Sequence, residues 1–386
     1  MKVVRNIVRL EDVTTRIGDG LHGTPKYDES GEYYFINGNN LSGGKIEVKT
    51  DTKRITAEEY NKIKRELSER TILLAINGTI GNLGFYNGER VALGKSACYL
   101  NLRENVDKHY IRYVLEHSDF QEYALAFATG ATIKNLGLKA VRDYKFHLPP
   151  LPTQRRIASI LSAYDDLIEN NLKRIKLLEE LAQRTYEEWF VKFRINGESL
   201  PIDAKTGLPE EWEKVNLNSV YTIKYGKNLP QTEISEKGEY PVYGASGVMG
   251  YYNLFNYNEK VVLVTSRGNG SGDIHRTYET SFVTNNSFAV TPKINYEYLH
   301  LPFNLNFFKT LNLKSYCSGS AQPQLTNASM DNIMINLPTS DYVIRYNHIC
   351  DKLINQADNL RKSNQKLKES RDILLPRLMS GKINVE

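Results

Sequence analysis

Gly130-Ala131-Thr132-Ile133-Lys134-Asn135-Leu136, then Phe146-His147-Leu148-Pro149, then a helix-forming run from about 154 to 194: these segments close the first half of the chain in that order. The order returns as Gly319-Ser320-Ala321-Gln322-Pro323-Gln324-Leu325, Ile335-Asn336-Leu337-Pro338 and a helical run from about 343 to 379. Gly130 and Gly319 stand 189 positions apart, and so do Pro149 and Pro338. One offset kept across separate motifs marks a tandem duplication, here of a globular unit followed by a long helix.

The stretches before the two signatures share a grammar. Thr71-Ile72-Leu73-Leu74-Ala75-Ile76 is an apolar run stopped by Asn77-Gly78, and Tyr33-Tyr34-Phe35-Ile36 is stopped by Asn37-Gly38. Such runs, bounded by turn formers, read as buried strands. Lys260-Val261-Val262-Leu263-Val264 leads to Arg267-Gly268 in the same way, and Asn77 and Arg267 are 190 positions apart. Helices are expected over roughly 56–67 and 108–127. The reading is an α+β protein with two mixed α/β units in tandem, two long antiparallel coiled-coil helices and an internal pseudo-two-fold. Its segments are a first unit over 1–152, a helix over 153–195, a linker over 196–214, a second unit over 215–340 and a second helix over 341–386. The linker assignment rests on Gly197, Pro201, Gly207 and Pro209 in a polar stretch.

Apolar positions in the long helices recur in steps of three and four, the heptad spacing of a coiled-coil seam. The first seam is Ile157, Leu161, Tyr164, Ile168, Asn171, Ile175, Leu178 and Ala182; the second includes Leu353, Leu360, Asn364, Leu367, Leu374 and Leu378. At 1.5 Å per residue each helix is about 55–60 Å long. Pro376 should bend or end the second near its last turns. Aligned antiparallel at midpoints near 174 and 361, Asn171 and Asn364 face each other, and a buried polar pair of that kind fixes register.

Composition narrows the chemistry. Of 386 residues, 40% are hydrophobic and 25% charged, with a net charge of +5. That is globular and mildly basic, a lean towards polyanionic partners. Cys98, Cys317 and Cys350 are scattered without metal-ligand spacing, so a reducing compartment and buried thiols are expected. No signal peptide or membrane span is legible, which points to the cytoplasm. Leu93-Gly94-Lys95-Ser96 lacks the leading glycine of a phosphate loop, where Glu89 stands. No dinucleotide fingerprint, nucleophile elbow or metal-ligand histidine pair occurs. Asp203 and Lys205 have nuclease-like spacing but fall in the linker. The isolated chain is therefore expected to carry no catalytic residues, metal or cofactor.

What remains are loops rich in amides, bases and aromatic rings, in both halves. Asn and Gln read adenine, Arg and Lys read guanine, and lysines hold phosphates. The candidate DNA contacts are His22, Lys26, Tyr27, Asn37, Asn39, Asn40 and Lys134 in the first unit. In the second they are Lys224, Tyr225, Lys227, Arg267, Asn269, Gln322 and Gln324, with Asn285-Asn286 in a further loop.

At these motifs the chain resembles the specificity subunits of type I restriction–modification enzymes. The similar residues are Gly18-Asp19-Gly20-Leu21-His22-Gly23-Thr24-Pro25-Lys26-Tyr27, the two Gly-to-Leu-Pro signatures, Leu148-Pro149-Pro150-Leu151-Pro152-Thr153-Gln154-Arg155-Arg156-Ile157, and Gly207-Leu208-Pro209-Glu210-Glu211-Trp212. The resemblance covers essentially the whole chain. The family often has Glu where Thr153 stands, and Leu337-Pro338-Thr339-Ser340 lacks the second proline. The resemblance implies two target recognition domains, each reading one half of an interrupted double-stranded DNA sequence, and helices that act as a spacing ruler. It implies two methyltransferase subunits bound to those helices, with restriction subunits joining through them. S-adenosylmethionine, ATP and Mg2+ then belong to those partners. The rival reading is a coiled-coil scaffold whose ends bind proteins and have no DNA specificity.

Overall fold

Thr71–Ala75 is buried at every residue, and its side chains alternate between two cores. Ile72 and Leu74 pack with Tyr110, Ile111, Val114, Phe120 and, on the first long helix, Ile157 and Leu161. Leu73 and Ala75 face Ile36, Leu41, Val91 and Leu93 instead. A strand covered on both faces needs no polar face, which is why it reads as a continuous apolar run.

The chain is described here by a computed structural model covering residues 6–319 and 322–385. It forms two compact units, Met1–Glu169 with Gln365–Glu386, and Asn170–Asn364. The first contains an antiparallel sheet ordered Thr14–Asp19, Ala97–Leu102, Thr71–Ala75, Leu83–Phe85. A smaller sheet, Arg54–Ile55, Tyr33–Ile36, Val91–Leu93, lies beside it in the same unit.

The second unit repeats the order as Tyr221–Tyr225, Ser287–Pro292, Val262–Thr265, Ile274–Arg276, again antiparallel throughout. It repeats the division of side chains as well. Val262 and Val264 join a core with Phe303, Phe308 and Tyr346, whereas Leu263 joins Tyr243 and Val283. The Leu-Pro end of each signature also has a structural meaning. Lys145–His147 pairs with Ile7–Arg9, and Met334–Leu337 with Glu213–Asn216, so the strand that closes each domain returns to one near its start. Proline cannot extend the ladder, and helices begin just beyond, at Leu151 and Ser340.

Those helices are Leu151–Tyr186, continued by a π turn over Glu187–Val191, and Ser340–Met379. The first therefore stops short of the expected 194. Each compact unit contains a segment of both. In the second unit, Tyr346 donates its hydroxyl to the Ala182 carbonyl at 2.9 Å, Arg361 meets Glu179 at 2.7 Å, and Asn171 Nδ2 donates to Asn364 Oδ1 at 2.8 Å. Partner numbers fall on one helix as they rise on the other, so the pair is antiparallel. The expected asparagine contact is present. Ile157, Leu161, Ile168, Ile175 and Asn364 are buried, and Asn171, Leu178, Leu353, Leu360, Leu367 and Leu374 are half-buried.

The asparagine pair makes a two-part prediction. Asn364→Leu alone leaves Asn171 without this partner and should cost about 1–3 kcal/mol, whereas Asn171→Leu with Asn364→Leu should be close to neutral or stabilising. Denaturant unfolding of the three proteins checks the order.

Three expectations are corrected. The 108–127 helix is two helices, Lys108–Glu116 and Ser118–Phe127, because His117 is extended (φ −65°, ψ 144°) and turns its ring nitrogen to the Asp119 amide. The 56–67 helix is shorter, Ala57–Ile63, capped by Thr56. The stretch 196–214 is not a free linker. Arg194–Ile195 pairs with Glu198–Ser199, and Leu208 and Trp212 are buried in the second core, Trp212 with its ring 5.9 Å from Phe190. Gly and Pro there mark turns, while the few apolar residues between them anchor the segment. Asp203 accepts the Lys205 and Thr206 amides and so closes one of those turns.

Cys98 and Cys350 are buried free thiols and Cys317 is half-buried. Burial pushes the Cys350 thiol up to about 11, so it packs as an unreactive group. Among the described residues, no helix is long and apolar enough to cross a membrane.

Candidate nucleic-acid interface

The signature that begins at Gly130 is a tight hairpin. Thr129 and Asn135 exchange both backbone hydrogen bonds, at 2.9 and 2.7 Å, and Ser318 and Gln324 do the same in the second unit, at 2.9 and 2.8 Å. Gly130 (φ +112°) and Gly319 (φ +91°) make the turn in a region closed to most side chains, and a Cβ at either would run into the carbonyl of Ile133 or Gln322.

Each hairpin is stitched to the end of its central strand. Leu136 N donates to Ile76 O at 2.8 Å and Leu325 N to Ser266 O at 2.9 Å; Gly78 N reaches Lys134 O and Gly268 N reaches Pro323 O. A third loop joins through Ile76 N to Ser96 O at 3.0 Å and Ser266 N to Asn286 O at 2.9 Å. A fourth follows the first strand of each sheet, with Leu21 N on Leu93 O at 2.7 Å and Lys227 N on Val283 O at 2.9 Å. Gly20 and Gly226 let it approach, since a Cβ there would land on those carbonyls.

Four loops are thus tied together by the same backbone bonds in both units. The side chains at their tips differ. Asn77 in the first unit stands where Arg267 stands in the second, Lys95 where Asn285 stands, and Asn135 where Gln324 stands. In the first unit the loops enclose a cleft of about 660 Å³ lined by Asp19, His22, Asn37, Asn77, Lys95, Ser96 and Asn135 among others. His22 Nε2 is 2.7 Å from Asp19 Oδ2, and Ser96 donates to Asn37 Oδ1 at 2.9 Å.

Of the expected contact residues, His22 and Asn37 line this cleft, and Lys134 is exposed on its hairpin. Lys26 and Tyr27 are exposed outside the lining; the Lys26 amide donates to Glu59 and the Tyr27 ring lies edge-on to Phe35. Asn39 is exposed on the next turn. Asn40 must be withdrawn as a base reader. It is buried, donating to Glu47 O and Thr52 Oγ1 and accepting from Asn37 N, so its amide closes a turn.

In the second unit Lys227, Arg267, Asn269 and Gln322 project from the equivalent loops, and Lys224 is exposed on the strand leading to them. Gln324 is half-buried at the hairpin base. Tyr225 is chiefly a support: its ring lies 4.1 Å from Phe288 and its hydroxyl reaches Leu325 O. Ser320 and Ala321 of the signature lie outside the described residues. Asn77, Lys95 and Asn135 were missed, although the repeat offset applied to Arg267, Asn285 and Gln324 finds all three.

Exposed amides, lysines and one arginine on these loops can contact base edges and phosphates. Comparison with known proteins agrees. Residues 6–180 and 209–369 match the model of the type I restriction modification DNA specificity domain. The chain is 24% identical over 362 residues to the type I restriction enzyme MjaIX specificity subunit of Methanocaldococcus jannaschii, covering 86% of this chain and 84% of that one. It is 20% identical over 298 residues to the EcoprrI specificity subunit of Escherichia coli, covering 74% and 71%. The crystal structure of a type I restriction–modification S subunit from M. genitalium has the same fold, with a TM-score of 0.58 at 21% identity over 98% of this chain and 96% of that one. With both halves matched, the chain belongs to the type I restriction–modification DNA specificity family, as a specificity subunit with two such domains.

Proposed function

We propose that each unit reads one half of an interrupted double-stranded DNA sequence through its four-loop cluster, and that the chain has no catalysis of its own. The observation that carries this reading is the duplicated frame with unlike tips. A repeat that keeps the backbone bonds and changes Asn77 to Arg267 and Lys95 to Asn285 suits two readers of different bases. The individual contacts assigned to His22, Asn37, Lys95, Lys134, Lys227, Arg267, Asn269 and Gln322 are part of this proposal.

The helices serve as the platform for two methyltransferase subunits, through which restriction subunits join. Exposed Leu172, Leu177 and Leu181 on the first helix, and Ile344 and Ile349 on the second, supply apolar surface for such partners. A chain with two domains of one family suits two copies of one partner. S-adenosylmethionine, ATP and Mg2+ are used by the partners, and the assembly works in the cytoplasm.

Salt titration of DNA binding by the assembled complex separates this from a protein scaffold. Log affinity should fall linearly with log salt, with a slope of roughly −0.9 per neutralised phosphate. Lys134→Ala, which removes a charge exposed on the hairpin, should weaken binding about equally on all sequences and reduce the slope by roughly one. Salt-insensitive, sequence-indifferent binding would instead favour the scaffold.

A further inference from the structure

Outside the loops, each unit holds one half-buried or buried aspartate on a long helix that gathers charges from the recognition domain. Asp358 Oδ1 accepts Arg276 Nη2 at 2.6 Å, and its Oδ2 accepts Arg276 Nη1 at 3.1 Å and Lys260 Nζ at 2.7 Å. Arg361, one turn along, adds a contact at 3.3 Å and crosses to Glu179 on the first helix at 2.7 Å. The Tyr278 ring has Arg276 at 4.5 Å and Arg361 at 4.7 Å, so domain and helix interleave.

In the first unit Asp165 takes Arg112 at 3.0 Å and the Tyr113 hydroxyl at 2.8 Å from the domain, and Arg371 at 2.6 Å from the other helix. Asp165 stands six residues before Asn171, and Asp358 six before Asn364. The partners are unlike, a helix in one unit and strands in the other, but the position is the same relative to the asparagine that sets register.

The placement suits a lever. The second domain rests on the helix through an apolar base, where Tyr346 meets Phe303 and Tyr186. Asp358 is 12 residues further on, about 18 Å along the helix. Lys260 stands two residues before the strand Val262–Thr265 and Arg267 two residues after it, so one strand joins the ionic contact to a reading loop. A shift of the domain at that contact is carried along the strand to the loop, and about 3.4 Å along the DNA is one base pair.

We propose that Asp165 and Asp358 are positioning residues for target recognition: each fixes the tilt of its domain on the helices, and with it the place along the DNA where the loops read. This rests on the two-reader function above. The bases recognised come from the loop tips; the number of base pairs between the half-sites depends on these two carboxylates.

The test maps methylated sites in cells carrying the methyltransferase partners with the wild-type chain, Asp358→Asn, Lys260→Gln or Asp165→Asn. The expected result is a second class of sites in each variant, with both half-sites unchanged and the gap altered by one base pair. Asp358→Glu should return the population towards the wild-type gap. Lys260→Gln keeps the Arg276 pair and so remains informative if Asp358→Asn fails to accumulate. A single unchanged gap in the variants that accumulate, or altered bases in a half-site, would overturn the proposal. If the wild-type chain directs no bipartite methylation at all, the underlying function has failed, a distinct outcome.

Discussion

Asp358→Ala should destabilise the second unit by about 3–5 kcal/mol, the cost of leaving a buried cation without its partner. Arg276 is 2% exposed at its side chain and Asp358 5%. Truncation leaves the guanidinium desolvated against the Tyr278 face, with the cations of Lys260 and Arg361 close by. An exposed pair such as Lys62 with Glu58, by contrast, is screened by water and contributes little. Replacing Arg276 and Asp358 together with apolar residues of similar volume should recover much of the loss, because the fully buried cation leaves with its partner while Lys260 and Arg361 are partly exposed to water.

Acid should narrow the difference. Burial raises the Asp358 pKa, but the Arg276 hydrogen bond and charge, with those of Lys260, outweigh it and hold the carboxyl below its ordinary value. A depressed folded value contributes stability that is fully present above the unfolded value of about 3.9 and is lost as pH falls through the lower folded value. Denaturant unfolding of wild type and Asp358→Ala should therefore differ equally at pH 7 and pH 5, and the difference should shrink as pH falls below about 4. A gap that instead widened on acidification would contradict the ionic account.

The helices and the duplication were legible because their signals are periodic. Seam residues such as Ile157, Leu161 and Ile175 sit where three-and-four spacing put them, and the Asn171–Asn364 contact followed from aligning two midpoints. The inner strands were legible as apolar runs covered on both faces. Local exceptions were less visible. His117 breaks a helix by its own ring, a choice with no signature in the surrounding apolar pattern. Trp212 and Leu208 lie among turn formers, and only packing reveals that they anchor 196–214 to the second core.

The reading loops were found by composition, and composition does not separate a projecting amide from one that closes a turn. Asn40 and Asn39 are neighbours of one type, the first buried and spent on Glu47 and Thr52, the second exposed. Lys95 was judged against a phosphate-loop pattern and set aside, although the 190-residue offset aligns it with Asn285. The ionic contacts at Asp165 and Asp358 left no trace in the sequence reading either. Their partners, Arg112 and Arg276, come from different kinds of element, so no shared spacing announces them.

Exchange of the first reader tests the central claim most directly. Residues 1–150 would be replaced by the matching unit of a relative with a different target, the helices and second unit being kept, and methylated sites sequenced in cells that supply the methyltransferase subunits. One half of the recognised sequence should change to the donor's bases while the other half stays as in the wild type. Alteration of both halves, or of neither, would contradict two independent readers built on one repeated frame.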